Sequence, residues 1–315
     1  MKNLRIVFMG TPDFAVHILA KILETKHEIT GVVTAPDKPA GRGQKLLPSA
    51  VKKFAVKNKL DIYQPTNLKS DSFQEDLKKM NPDLIVVVAF RMLPKKIWNF
   101  PKYGTFNLHA SLLPDYRGAA PIQWAIINGE TSTGITTFFL DENIDTGNII
   151  SKEEVTIQSE DTAGILHDKL MHLGGDLVVK TLTLIAEGKA KPIPQPQADS
   201  LKKAPKLDRE NTRIDWTASP EEIKNLIRGL NPFPGAWTFF KNGKKELRCK
   251  ILQVEIHKKA HQLSYGAIET SKTELKVAVP SGFIRILEMQ MPGKRKMEIR
   301  EILNGFHLKE DAHMH

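Results

Sequence analysis

Apolar positions change period along the chain, and each change predicts an element. Leu4-Arg-Ile-Val-Phe-Met9 is a short apolar run stopped by Gly10, which predicts a buried strand. Thr11-Pro12-Asp13 then carries a helix start: a capping hydroxyl, proline at the first helical position and an acid in the first turn. Phe14, Ile18, Leu19, Ile22 and Leu23 follow at helical spacing, and the run from Glu28 to Thr34 returns to strand pattern. This βαβ opening implies a parallel sheet. Farther on, the pattern predicts helices over 49–58 and 71–80 with a short strand near Ile62 between them. The run from Asp83 to Ala89 is almost wholly apolar and β-branched, as a central parallel strand should be.

The remainder of the first half predicts strands over 105–109, 134–140 and 148–156, the last antiparallel, and a helix over 119–128. Asp161-Thr162 opens a long helix through Ile165, Leu166, Leu173 and Leu177, with an interruption expected at Gly174-Gly175 and an end at Gly188. Pro192, Pro194, Pro196 and Pro205 then mark 189–207 as an extended linker. Beyond it, Ser219-Pro-Glu-Glu222 is a capping box opening a helix with Ile223, Leu226, Ile227 and Leu230. From Trp237 onward only short strand runs appear, over 237–240, 247–256, 275–279 and 283–289, with a hairpin signal at Asn242-Gly243. The predicted architecture is a Rossmann-like, doubly wound, mostly parallel α/β sheet over 1–188. A smaller OB-fold-like β-barrel follows over 208–315.

Composition adds class and partner. The 315 residues are 41% apolar and 26% charged, a globular profile with room for two domains. No apolar run is long enough to span a membrane. The apolar start is too short for a signal peptide, so a cytoplasmic protein is expected. Cys249 is the one cysteine and is expected to pack inside a strand. Net charge is +10; Lys206 to the end holds 20 basic against 14 acidic residues, a net of +6. A basic domain either grips a polyanion, nucleic acid first, or serves only solubility.

Two loops stand out. Gly10-Thr-Pro-Asp-Phe-Ala15 lacks the GxGxxG spacing, and no acid closes the second strand, so a dinucleotide site is not expected. Pro36 to Pro48 is long, rich in Gly and Pro, and basic at Lys38, Arg42 and Lys45. It is either a solvated tether or a basic finger for a phosphate backbone.

Candidate chemistry gathers in Gly104 to Ala120. Asn107 and His109 are two apart on a strand and so share a face. An amide donor and an imidazole N–H there could stabilise a developing oxyanion, and Asp145 could orient the histidine or take a proton. The alternative is a pair hydrogen-bonded for structure alone. Ser111 lacks the GxSxG elbow, so an attacking group arriving with the substrate is expected. His109 has no partner at metal-ligand spacing, and His313 and His315 lie at a terminus expected to fray, so no metal is expected.

Phe106-Asn-Leu-His-Ala-Ser-Leu-Leu-Pro114, Tyr116-Arg-Gly-Ala-Ala-Pro-Ile-Gln123 and Ile144-Asp-Thr-Gly147 closely resemble the signature of the folate-dependent formyltransferases. Gly10-Thr-Pro-Asp-Phe-Ala15, Pro36-Asp-Lys-Pro-Ala-Gly-Arg-Gly43, Arg213-Ile-Asp-Trp216 and Asn231-Pro-Phe-Pro234 narrow the resemblance. They point to the branch whose amine acceptor is methionyl initiator tRNA, and the likeness covers nearly the whole chain. It implies formyl transfer from 10-formyltetrahydrofolate to the methionyl α-amine by a monomer. Asn107 and His109 would stabilise the tetrahedral oxyanion, and Asp145 would hold His109 or relay a proton. Phe90, Met92, Ser111, Leu112, Leu113, Pro114 and Ile144 would hold the pterin. Lys38, Arg42 and Lys45 would reach the acceptor stem, and the barrel would grip the tRNA body through phosphates.

One departure is local. After Ala89-Phe90 the family usually has glycine and two further residues before Leu-Pro; this chain has Arg91-Met92-Leu93-Pro94. Arg91 would either pair with a glutamate tail of the folate or reshape the loop. Two alternatives to the tRNA reading are transfer to another amine, such as an aminosugar nucleotide or glycinamide ribotide, and non-catalytic tRNA or folate binding. The intact Asn107, His109 and Asp145 speak against the second.

Overall fold

The computed structural model describes residues 2–40, 45–196 and 200–315. Contacts divide the chain into two compact units. One holds Met1–Gly118, Thr133–Val155 and His167–Lys203; the other holds Ala119–Ser132, Thr156–Leu166 and Ala204–His315.

The first unit is built on a seven-stranded sheet. Its order is Ile149–Thr156, Ser132–Phe139, Thr105–His109, Leu84–Val88, Arg5–Gly10, Glu28–Val33 and Ile62–Tyr63. The five strands from Thr105–His109 to Ile62–Tyr63 pair in parallel. Thr105–His109 and Ser132–Phe139 pair antiparallel. Arg5–Gly10 has later strands on both sides, so the chain reverses its direction of travel there. Such a switch point opens a crevice beyond the carboxyl ends of the strands. Every residue of Leu84–Val88 is buried, as two covered faces require. Val7, Met9, Val33, Phe73, Leu77, Ile85 and Ile97 form one face's core.

Helix starts follow local chemistry. Ser49 and Ser70 accept hydrogen bonds from the amides of Lys52 and Phe73 and cap Ala50–Lys57 and Asp71–Met80. The first helix, Asp13–Leu23, departs from expectation: Pro12 occupies its cap position, with no side-chain cap from Thr11. The expected break at Gly174-Gly175 is absent, and Ala163–Ala186 runs through unbroken. A Cβ on Gly174 would lie 2.8 Å from Leu108 Cδ2, and one on Gly175 would lie 2.8 Å from Lys21 Cγ. These glycines let the helix approach the strand Thr105–His109 and the helix Asp13–Leu23; packing outweighs their roughly 1 kcal/mol helix penalty each.

The basic loop is more regular than its composition suggests. Lys38–Ala40 and Lys45–Leu47 pair antiparallel as a short two-stranded sheet. Asp37 anchors its base by accepting hydrogen bonds from Gln64 Nε2 and Lys52 Nζ.

In the second unit, strands run Ile268–Thr270, Leu275–Val279, Gly282–Gln290, Lys245–His257, Ala236–Asn242, His313–Met314, with Lys296–Glu298 pairing on Gly282–Gln290. Every described pairing between these strands is antiparallel. A bridge between Ala267 and His313 joins the two ends of the path and nearly closes a barrel. The terminus is therefore ordered rather than frayed: Met314 is fully buried, and His315 exchanges two backbone hydrogen bonds with Phe239. The helix Pro220–Leu230 carries the expected Ser219/Glu222 capping box and packs Ile223 and Ile227 into the barrel core. Cys249 is buried in that core, where loss of water pushes its thiol up to about 12. No helix among the described residues is long and apolar enough to cross a membrane.

Candidate active site

The strand Thr105–His109 sits between Leu84–Val88 and Ser132–Phe139, and this fixes which way its side chains point. Phe106 and Leu108 are buried as the strand's alternate pair. Asn107 and His109 take the other face, at the strand end that opens on the crevice. The Oδ1 of Asn107 is buried without any hydrogen-bond partner. Buried polar atoms are almost always paired. An orphaned carboxamide oxygen at a strand end therefore marks capacity held for something that binds.

His109 is 6% exposed, and its two ring nitrogens have different neighbours. Nε2 lies 2.8 Å from the carbonyl oxygen of Tyr116. A carbonyl only accepts, so this nitrogen carries the proton. Nδ1 lies 3.8 Å from Asp145 Oδ2, too far for a direct hydrogen bond. In the neutral ring Nδ1 is the basic atom, facing a carboxylate.

Asp145 is held from several sides. Its Oδ2 accepts the amide of Gly118 at 3.0 Å. Asp141 Oδ1 accepts from Asn143 N and Thr146 Oγ1 and folds the loop before and after it. Gly147 admits no side chain, since a Cβ would lie 1.7 Å from Phe139 O. Asp145 itself has φ +56°, as Tyr116 has +59° and Ala89 has +48°. Left-handed non-glycine residues cost about 1–3 kcal/mol and persist where surroundings over-determine them. These three follow the strands Leu84–Val88, Thr105–His109 and Ser132–Phe139, while Lys59, Asn81 and Ser281 adopt the same conformation elsewhere.

The residues expected to hold a pterin divide into two groups. Met92 and Ile144 are 68% and 63% exposed, Phe90 is half-buried, and Leu112 and Pro114 are partly exposed. These offer apolar surface to a ligand. Ser111 and Leu113 are fully buried. Ser111 Oγ donates to Asp115 O, and Leu113 packs on Phe138 and Ile149. Thr136 Oγ1 accepts from Leu113 N and donates to Ser111 O, so these two residues shape the loop from inside. Arg91 donates to the carbonyls of Pro65 and Thr66 and lies over the Phe90 ring, which ties the shortened loop to its neighbour.

Of the three basic-loop residues, Lys38 is exposed on the two-stranded sheet and Lys45 begins its second strand. Arg42 lies outside the described residues. The Asp37 carboxyl at the base of that sheet is held below the usual range by hydrogen bonds from Gln64 and Lys52.

The second unit carries a cationic cluster that the sequence reading did not single out. Arg248, Arg209 and Arg213 lie 4.2, 5.4 and 5.6 Å from the ring centre of Trp237. None of the three is in a salt bridge among the described residues. Also missed were Thr136, Gly118, Arg117 and Gln195. The signal available for Gln195 was the Pro192-x-Pro194-x-Pro196 spacing, which leaves only residues 193 and 195 with backbone donors.

Family models match both parts of the chain: "Formyl transferase" over residues 4–182 and "Formyl transferase, C-terminal domain" over 206–307. The chain is 52% identical over 312 residues to a protein of Flavobacterium johnsoniae named methionyl-tRNA formyltransferase, covering 99% of both chains. It is 51% identical over 314 residues to the Bacteroides fragilis protein of the same name, covering 98% of this chain and 97% of that one. Among solved structures it resembles an N-formyltransferase from Helicobacter canadensis in complex with folinic acid and dTDP-3-aminofucose. That match has TM-score 0.65 and 23% identity over 91% of this chain and 99% of the other. HypX from Aquifex aeolicus in complex with tetrahydrofolic acid matches at TM-score 0.65 and 20% identity, covering 98% of this chain. The chain spans about half the length of HypX, 49% of that chain. At these identities the two structures bear on the fold alone.

Proposed function

The chain belongs to the formyl transferase family, and from that membership we propose that it transfers the formyl group of 10-formyltetrahydrofolate to the α-amine of methionyl initiator tRNA. In this reading residues 1–188 carry the chemistry, 189–207 link, and 208–315 grip the tRNA, in a cytoplasmic monomer. The acceptor follows from the name shared by relatives about half identical over the full length. The basic balance beyond Lys206 and the three arginines gathered around Trp237 support a polyanionic partner.

The observation that carries the chemistry is the placement of Asn107 and His109 on one strand face, with the Asp145 carboxylate 3.8 Å from His109 Nδ1. The residues present fit a folate donor: a buried carboxamide oxygen left to accept a hydrogen bond, beside exposed Met92 and Ile144 that would cover an apolar ring. When bound, the folate supplies the formyl carbon and the leaving nitrogen.

As the substrate amine attacks, negative charge develops on the formyl oxygen, and the Asn107 N–H stabilises it by donation. The attacking amine must lose a proton. In this reading His109 Nδ1 takes it and the ring is not the oxyanion donor first expected, because its Nε2–H is already donated to Tyr116 O. The imidazolium that forms is held between that carbonyl and the Asp145 carboxylate 3.8 Å away. His109 would then return the proton to the leaving nitrogen.

The test is incubation with 10-formyltetrahydrofolate and methionyl initiator tRNA, with charged elongator tRNA and an amino-sugar nucleotide as competing acceptors. Formylation of the initiator above the others is expected. Preference for the sugar would leave the formyl transfer and remove the acceptor.

A further inference from the structure

We propose that Gln195, in a stretch whose composition reads as a spacer, is a positioning residue that clamps the Asp145 loop and the Arg117 guanidinium into one unit. The proposal rests on the functional reading above, since it assigns Gln195 a part in that transfer.

The geometry is specific at both ends of the side chain. Gln195 Nε2 donates to the carbonyls of Asp145 and Gly147 at 2.8 and 2.9 Å. Its Oε1 accepts from Arg117 Nε and Nη2 at 3.1 and 2.5 Å. Two acceptors face one end and a forked donor faces the other. Among side chains of this length only glutamine matches: glutamate has no donors, lysine has no acceptor, and asparagine is one methylene short. The backbone delivers it there, because Ile149 and Ile193 exchange two hydrogen bonds at 2.8 and 2.9 Å and fix the register two residues earlier.

The clamp acts where the loop most needs support. Asp145 sits at φ +56°, and its carboxylate must stay near His109 Nδ1. Gly118, next to Arg117, donates its amide to that same carboxylate. Gln195 thus holds both the backbone of Asp145 and the neighbour of the amide that Asp145 accepts. Freed carbonyls would let the strained residue relax, and a displacement of about 1 Å in such a group can cost up to 100-fold in rate.

The experiment compares Gln195→Ala, Gln195→Glu and Gln195→Met in the full chain. Turnover is measured with the formyl donor and methionyl initiator tRNA, and amide hydrogen exchange at Gly118 is followed in the free protein. Gln195→Glu keeps the acceptor for Arg117 and loses the donors to the loop; Gln195→Met keeps the length alone, and serves if the alanine variant does not fold. In all three, kcat should fall about 10- to 100-fold. KM for the donor should stay within about threefold, and Gly118 should exchange faster. Wild-type kcat in Gln195→Glu, or unchanged Gly118 exchange in the alanine or methionine variant, would overturn the clamp. Failure of the wild-type protein to formylate any tRNA would remove the functional reading, while the exchange measurement still decides whether Gln195 holds the loop.

Discussion

The Asp145 carboxylate lies 3.8 Å from Nδ1 of His109, while the opposite ring nitrogen is committed to the carbonyl of Tyr116. The carboxylate can therefore act as a fixed negative charge on a ring that gains a proton, without sharing that proton in the resting state. Asp145→Asn retains an oxygen for the Gly118 amide and removes only the charge. We expect kcat to fall at least about 100-fold, with the melting temperature nearly unchanged. Activity close to wild type would show that the charge is not used.

Away from the site, acid stability should depend on Asp83. Hydrogen bonds from the Arg5 side chain hold its carboxyl below the usual carboxylate range. A carboxyl depressed in the folded state adds stability above its unfolded value, and that share is lost as pH falls through the folded value. Urea midpoints of Asp83→Asn should therefore lie below wild type at pH 7. The gap should close below about pH 3.9; a constant gap across that range would reject the linkage.

Gly174 offers a packing test. A Cβ there would meet Leu108 Cδ2 at 2.8 Å, between the two polar residues of the site strand. Replacing a mid-helix glycine gains at most about 1 kcal/mol, whereas overpacking costs about 1–3 kcal/mol. Gly174→Val should therefore lower the melting temperature. Pairing it with Leu108→Ala should cost less than the two changes summed; simple additivity would mean that the helix and strand do not press together here.

These contrasts separate what the chain states locally from what it does not. The polar pair at 107 and 109, the capping box at Ser219 and the turn at Asn242-Gly243 are each decided within a few residues, and each stands in the structure. Gly174-Gly175 reads as a break because local propensity counts against glycine; only the approach of Leu108 and Lys21 shows why the helix continues. Leu113 sits in a motif that resembles a ligand loop, yet its side chain serves the core, because burial depends on Phe138 and Ile149 far along the chain. Gln195 is hidden for the converse reason. Alternating prolines signal extension, and nothing local shows that the loop ending at Gly147 lies beside it.

The arginines around Trp237 predict how RNA binding depends on salt. Three guanidinium groups lie 4.2–5.6 Å from the centre of one buried ring, none in a salt bridge among the described residues, though Asp215 interacts with the charge of Arg213. Each phosphate neutralised adds about 0.9 to the slope of log affinity against log salt. Arg248→Gln should lower that slope by about 1 in a tRNA titration, and the triple change with Arg209→Gln and Arg213→Gln by about 3. Affinity for the formyl donor should not move. An unaltered slope in the triple variant would place the tRNA elsewhere on the protein.

The sharpest test concerns Asn107, because its two possible roles predict opposite effects on stability. If the carboxamide were part of the core's hydrogen-bond network, Asn107→Ala would strand a partner and destabilise the fold by about 1–3 kcal/mol. Its Oδ1 is instead buried with no partner. Removing an unsatisfied buried oxygen relieves a desolvation cost, which offsets the packing lost with a small side chain. Asn107→Ala should therefore melt at or above the wild-type temperature while kcat drops about 10²–10³-fold, the usual loss for one oxyanion donor. A calorimetric scan beside a single-turnover formylation assay reads both. Lower stability with retained turnover would assign Asn107 to the scaffold, and the formyl oxygen would then need another donor.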